Sequence, residues 1–440
     1  MTEGAQETYT PVGYLDLVRR NAGFRKLWFG QIVSLFGDWF NLIASAALVS
    51  ELTKSGLAVG GLFVVRMLSP FLVSPLAGVL ADRYNRKRLL ITADLSRGII
   101  VLGFLLVRNE NQVWLLYTIT AVQLAFSGLF FPARNAILPD IVTRRELGAA
   151  NALSSATWSV MLSLGAALGG LVAGQWGIYP AFMVDSASFF LSAIFISQIA
   201  YRHLPQLEST GRSIKAAIVQ YVDGLRYLKR HVDIFAIATQ KAAVSLAVSG
   251  AFQVVQVVMA QQIFVIGKEG GTSLGLLYAV GGVGNGIGPI LARRFTGDRN
   301  DSLRKAMTIS YAIGVAGLAL TAPLTNFGLV LFGTFFRSLG GGISWVFSTQ
   351  LLLQLLPDQV RGRVFSTEFA MFTLANAISA GVGGWALDQP NLGISGILWW
   401  MAIVLAILGG AWALWLMFGK REAPLPEESE QAAVFSGPIE

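Results

Sequence analysis

Asp38, Arg66 and Arg337 each interrupt an otherwise apolar stretch, as in "FGQIVSLFGDWFNLIASAALV" around Asp38. Ionisable side chains away from water are costly unless paired or wetted, so each marks a place where charge has a use. A carboxylate that alternates between a buried cationic partner and a wet path can take up and release a proton. The spacing predicts Asp38 as a proton-coupling group, with Arg66 or Arg337 competing with the proton for it. A permanent Asp38–Arg66 ion pair that only fixes helix packing is the structural alternative.

The elements that must position these residues follow from composition. The chain has 440 residues, 54% hydrophobic and only 13% charged. A soluble protein carries about twice that charge fraction, because its whole surface faces water. About twelve apolar runs of ~20 residues, each long enough to cross roughly 30 Å of hydrocarbon, imply an all-α membrane protein in which helices satisfy their own backbone groups. The runs begin near Leu27, Leu57, Leu89, Trp114, Leu147, Ala181, Ile234, Ser273, Ala306, Leu329, Val364 and Ile397. Asp38, eleven residues past Leu27, stands roughly 16 Å from one edge. Arg66, nine residues into a run of opposite direction, stands roughly 14 Å from the other, at the same level; Arg337 reaches a similar depth.

Lys54, Arg108 and Lys268 are the Lys and Arg residues in loops on one side. The other side holds about eight times as many, which predicts that it is cytoplasmic, with both termini there, in a cell (inner) membrane. The net charge of +8 is then a topology signal, and no nucleic-acid partner is expected. The polar first twenty residues predict no removable signal peptide. The chain has no cysteine, so disulfides and thiol chemistry are excluded.

The sequence divides into an N-terminal tail at 1–24, a six-helix bundle at 25–202, a cytoplasmic linker at 203–232, a second bundle at 233–418 and a disordered tail at 419–440. Within the linker Ile214, Ile218, Tyr221, Leu225 and Leu228 recur at helical spacing, predicting an amphipathic helix at the interface. "LPDIVTRRE" at 138–146 returns as "LPDQVRGRV" at 356–364, after the fourth and tenth runs. Such an internal repeat is how many transporters build two halves around a central site.

Charge is densest in "GVLADRYNRKRLL", residues 78–90, between runs two and three. Gly78, Leu80, Ala81, Asp82, Arg83, Arg86, Lys87 and Leu90 match in spacing the loop 2–3 signature of the major facilitator superfamily, with Asn85 in place of its second glycine. Asn tolerates a left-handed backbone, so the turn is expected to survive. Gly165, Gly169 and Gly170 resemble the helix-5 motif of the antiporter branch, with Ala166 in its proline position. "FRKLWFGQIVSLFGDWF", "FFPARNAILPDIVTRRELGAANAL" and "RGRVFS" resemble the branch of macrolide efflux proteins and the enterobactin exporter. The resemblance implies two pseudo-symmetric bundles, alternating access and export. It also implies that Asp82 meets the N-terminus of helix 11, near Val364, when the protein opens outward, with Arg83, Arg86 and Lys87 tying neighbouring helix ends.

Gln31, Trp39, Asn41, Gln123, Gln253, Gln256, Trp345 and Gln350 place polar groups in apolar runs, as cavity residues for an amphiphile or as interhelical hydrogen bonds. Lys241 is expected to snorkel to the interface, and Asp94, Arg97, Asp185 and Glu368 to serve as caps or interfacial pairs near helix ends. "GGVGNGIG" at 281–288 fits close helix packing better than phosphate binding. The histidines, His203 and His231, lie in the linker, so neither a metal site nor a catalytic centre is expected. The expected function is proton-coupled export of amphiphilic small molecules (drug, macrolide or siderophore class) by a monomer in the lipid bilayer, without cofactors. A lipid or lysolipid flippase, or an uncoupled facilitator, is the alternative.

Overall fold

The computed structural model describes residues 13–201, 214–297 and 299–419. The terminal tails at 1–12 and from 420, and 202–213 of the linker, lie outside these. Among the described residues there is no strand. Twelve helices are long and apolar enough to cross a bilayer: spans 1 to 6 are Ala22–Thr53, Gly56–Ser74, Arg86–Leu106, Glu110–Ile141, Arg145–Trp176 and Ile178–Ser197. Spans 7 to 12 are Val232–Gln262, Lys268–Thr296, Asn300–Thr321, Phe327–Leu355, Val360–Leu387 and Ile394–Phe418. Each starts before the first apolar residue read from the sequence, from one residue (Gly56 against Leu57) to six (Asn300 against Ala306). Caps and first turns are polar, so hydropathy misses them. Ile99, Trp114, Trp400 and Ile407 are each 60–65% exposed, an apolar surface that only lipid suits.

Residues are grouped by contact into two units that cut across the expected bundle boundaries. Among the described residues, the first holds those up to Lys215 with 251–282 and 380–392, and the second holds 216–250, 283–379 and those from Gly393. In the first unit, span 1 packs on spans 5 and 6, and span 2 on span 4. Glycine governs the closest approaches: a Cβ at Gly60 would stand 2.6 Å from the Ala380 carbonyl, and one at Gly170 would stand 2.7 Å from that of Gly271. Small residues let backbones meet where the bilayer supplies no hydrophobic drive between helices. At the start of span 2, Asp388 accepts hydrogen bonds from Ser55 Oγ (2.7 Å) and the backbone N–H of Gly56 (2.6 Å) and Leu57 (3.0 Å). One carboxylate thereby satisfies several donors that a helix start leaves unpaired.

In the second unit, span 9 packs on spans 10 and 12. Gly317 lies against the carbonyl of Gly333, where a Cβ would stand at 2.6 Å. The linker helix forms over Ile214–Arg230. Among its described side-chain positions Gly224 and Leu228 are buried, while Leu225, expected on the apolar face, is 42% exposed. Gly224 sets this face, because its missing side chain lets the helix lie 2.6 Å, from where a Cβ would be, to the Arg363 carbonyl.

Candidate functional site: a charge cluster among spans 1, 2, 3 and 6

Asp38 stands among other ionisable side chains. Its Oδ2 lies 4.0 Å from Arg97 Nη1 on span 3. Arg97 also forms a salt bridge to Asp94, one helical turn earlier, and Nη1 donates to Ser127 Oγ on span 4 (3.2 Å). Asp94 Oδ2 accepts from Ser192 Oγ on span 6 (2.6 Å). The guanidinium of Arg97 is sandwiched by rings, 4.2 Å from the centroid of Phe189 and 4.7 Å from that of Phe130. These contacts make Asp94 and Arg97 a pair, one of the two expected roles, but inside the span rather than near its end. Span 3 begins at Arg86, so Arg97 stands eleven residues, about 16 Å, inside.

Asp185 on span 6 joins the cluster. A Cβ on Gly37 would stand 2.6 Å from its Oδ1, so the absence of a side chain beside Asp38 makes room for it. Asp185 is fully buried, with the Asn41 amide beside it. It lies within electrostatic reach of Asp38, Arg97 and Arg66.

Arg66, the predicted partner, lies within reach of Asp38 but donates to Asn41 Oδ1 (3.5 Å). Arg337, the other, belongs to the second unit and donates to Ser338 Oγ (2.9 Å). The site therefore holds three carboxylates and two guanidiniums. The Asp38 side chain is 29% exposed, against 2% for Arg97 and none for Asp94.

The expected cavity residues divide. Asn41, Gln123 and Gln256 are buried. Gln31 accepts from Arg134 (2.7 Å) and donates to the Ser154 carbonyl (3.3 Å), a buried knot that binds span 4 to spans 1 and 5. Trp39 packs beside Tyr278, centroids 5.9 Å apart, with Gly165 behind it, where a Cβ would stand 2.8 Å from the indole. Gly169 lies likewise against Phe40, 3.2 Å from its ring, and Gly170 against Gly275. The helix-5 glycines thus serve backbone approach in a helix that runs unbroken over Arg144–Trp176. Gln253 is half-buried, and Trp345 is 42% exposed.

The dense stretch at 78–90 is mostly helix: one helix runs to Arg83 and the next starts at Arg86. The side chains of Gly78, Asp82 and Arg83 lie outside the described residues. Arg86 donates to Asp140 Oδ2 (2.7 Å) and to the Ala136 carbonyl (3.0 Å) at the end of span 4, and Lys87 to the Ile199 carbonyl (2.8 Å) after span 6. Asp140 also accepts from the Tyr201 hydroxyl (3.1 Å). Partial burial, that hydrogen bond and the carboxylate's charge raise the phenol's pKa, so it stays a donor.

Asn85 corrects the expected left-handed turn. Its φ is −59°, an ordinary value, and its side chain caps the next helix by accepting from the Arg88 N–H (3.1 Å). Asn85→Ala is expected to cost about 1 kcal/mol of stability, read as a lower thermal midpoint in detergent; an unchanged midpoint would show that the cap is dispensable.

A charged and polar core inside twelve apolar helices defines a multi-pass membrane transporter rather than an enzyme. The chain belongs to the Major Facilitator Superfamily, which it matches over residues 27–324 and 270–438. It is 28% identical over 378 residues to YfiS of Bacillus subtilis (strain 168), described as an uncharacterized MFS-type transporter, covering 84% of this chain and 87% of that one. It is 23% identical to BacE of Bacillus amyloliquefaciens, described as a bacilysin exporter, over 92% of this chain and 97% of that one. Macrolide efflux protein A of Streptococcus pyogenes is 23% identical over 49% of this chain and 53% of its own. Among solved structures, the nucleoside transporter NupG superposes with a TM-score of 0.69 at 12% identity, over 90% of this chain and 99% of that one, which shows the fold.

Proposed function

We propose that the chain exports amphiphilic small molecules in exchange for protons by alternating access, and that Asp38 carries the proton. The observation that carries this reading is the charge count. Asp38, Asp94 and Asp185 face Arg66 and Arg97, so with every group ionised the cluster has one negative charge in excess (3 − 2 = 1). One proton makes it neutral, which low-dielectric surroundings favour. Asp38 takes that proton, because its side chain reaches solvent-accessible space while Asp94 and Asp185 are fully buried. Arg97 and Arg66 hold the deprotonated form, so the cluster has two states, one neutral and one with a single negative charge, that differ by one transferable proton.

Export is supported by the efflux descriptions of BacE and macrolide efflux protein A. An inner-membrane location with both termini cytoplasmic rests on the Lys/Arg asymmetry. The test is proton movement in energised inverted vesicles, followed with a pH-sensitive dye while macrolides, cationic dyes and siderophores are added. Substrate-triggered proton release is expected. Solute flux without proton movement would reduce the protein to an uncoupled facilitator, and translocation of labelled lipid alone would make it a flippase.

A further inference from the structure

A second buried ion pair lies in the second unit. Lys241 Nζ of span 7 stands 3.0 Å from Glu368 Oε1 of span 11, and their side chains are 7% and 4% exposed. The ammonium also donates to Thr349 Oγ1 (2.6 Å) on span 10 and lies 4.6 Å from the centroid of the Trp345 ring. Lys241 is nine residues past Val232, about 14 Å inside, and Glu368 eight past Val360, about 12 Å. Snorkelling is therefore ruled out for Lys241, and Glu368 is half of a buried pair rather than a cap. The wall is aromatic and partly open: Trp345 is 42% exposed and meets Phe372 edge-on at 4.9 Å. Directly after Lys241, span 7 changes to a π-helical turn at Ser245–Ser249, a local irregularity that is rare in helices and concentrated at functional sites. Asn376 Nδ2 on span 11 donates to Ser245 Oγ (2.8 Å), tying that turn to the helix that carries Glu368.

A permanent packing pair would account for the burial but not for the accessible indole over the ammonium or the π-helical turn beside it. Charge conservation says what can enter. A cation or an anion inserted between Lys241 and Glu368 would leave one charge unmatched in surroundings that penalise it heavily. A zwitterion leaves none: its carboxylate takes Lys241, its ammonium takes Glu368, and its apolar part lies on the Trp345 face.

We infer that Lys241, Glu368 and Trp345 form a substrate site for zwitterions of the amino-acid or short-peptide type, in which both ligand charges replace the internal ion pair. The physiological meaning of the site rests on the proposed export reading, but its test needs no gradient. Equilibrium dialysis of the full chain, purified in detergent, measures binding of tritiated leucyl-leucine and its competition by N-acetyl-leucyl-leucine (anion) and leucyl-leucinamide (cation). The zwitterion is expected to bind at least about tenfold more tightly than either capped form. In Lys241→Gln the amide should compete as well as the parent, and in Glu368→Gln the acetyl form should. Equal affinity of the three in the wild type, or no saturable leucyl-leucine binding, overturns the inference whether or not the variants fold. Binding without proton movement in vesicles would instead remove the antiport reading and keep this site.

Discussion

Asp38→Asn is expected to abolish substrate-triggered proton movement and to lower energised transport at least about tenfold, equivalent to roughly 1.4 kcal/mol or more on the rate-limiting step. An amide is nearly the same size as the acid and fits the same place, so the protein should fold and bind substrate. It has no proton to give, and it removes the one accessible carboxylate facing Arg97. The cluster is then neutral with Asp94 and Asp185 ionised, and is fixed in one of its two states. Substrate efflux down its own gradient, measured in proteoliposomes without a pH difference, should persist. Proton release of normal size in the variant would return Asp38 to a packing role and shift the coupling to Asp185, its neighbouring carboxylate.

The second large effect is expected at Arg97. Removing its charge leaves Asp94 fully buried with Ser192 Oγ as its remaining described donor, and empties a slot between two aromatic rings. Breaking a buried pair from one side costs about 3–5 kcal/mol, a large part of the stability of an ordinary domain. Arg97→Met should therefore sharply reduce the monodisperse fraction on size-exclusion chromatography. Adding Asp94→Leu to it removes the stranded charge as well and should restore most of the folded yield, though not proton-coupled transport. A single variant as abundant and monodisperse as the wild type would show that Arg97 does not hold spans 3, 4 and 6 together.

The contrast between these residues shows what could be read before the structure. The twelve spans were legible because each is a long, predominantly apolar run, and the loop 2–3 signature because its charges follow in order along the chain. Asp38 stood out because nothing else near it is charged. Its partner did not, since Arg97 has Asp94 one turn away and reads as half of a local pair. Asp185 was hidden for a different reason. The clue to it is Gly37, a residue with no chemistry of its own, and only the packing of span 6 on span 1 shows what that glycine admits. Lys241 and Glu368 are 127 residues apart (368 − 241), and nothing local in either helix announces the other. Gln31, Asn41, Gln123 and Gln256 are unusual residues for apolar runs. Whether such a group lines a cavity or ties helices together depends on the face it occupies, and a helix that is apolar all round gives no phase for that.

The π-helical turn in span 7 has a consequence for how this chain can vary. Between Val244 and Gly250 the hydrogen-bonded ring is one residue longer than in the α-helices before and after it. In the wider π-helical ring each residue advances less around the axis than in an α-helix, so the ring absorbs the extra residue and the two halves of the span keep nearly the faces a plain α-helix would give them. A one-residue deletion at 245–249 would not shorten a loop; it would return the turn to α-helix and leave Lys241 facing nearly as before relative to everything after Gly250. Span 7 is therefore a place where an insertion of a single residue, ordinarily ruinous inside a membrane helix, is already part of the fold and leaves the two halves of the span on nearly the same faces.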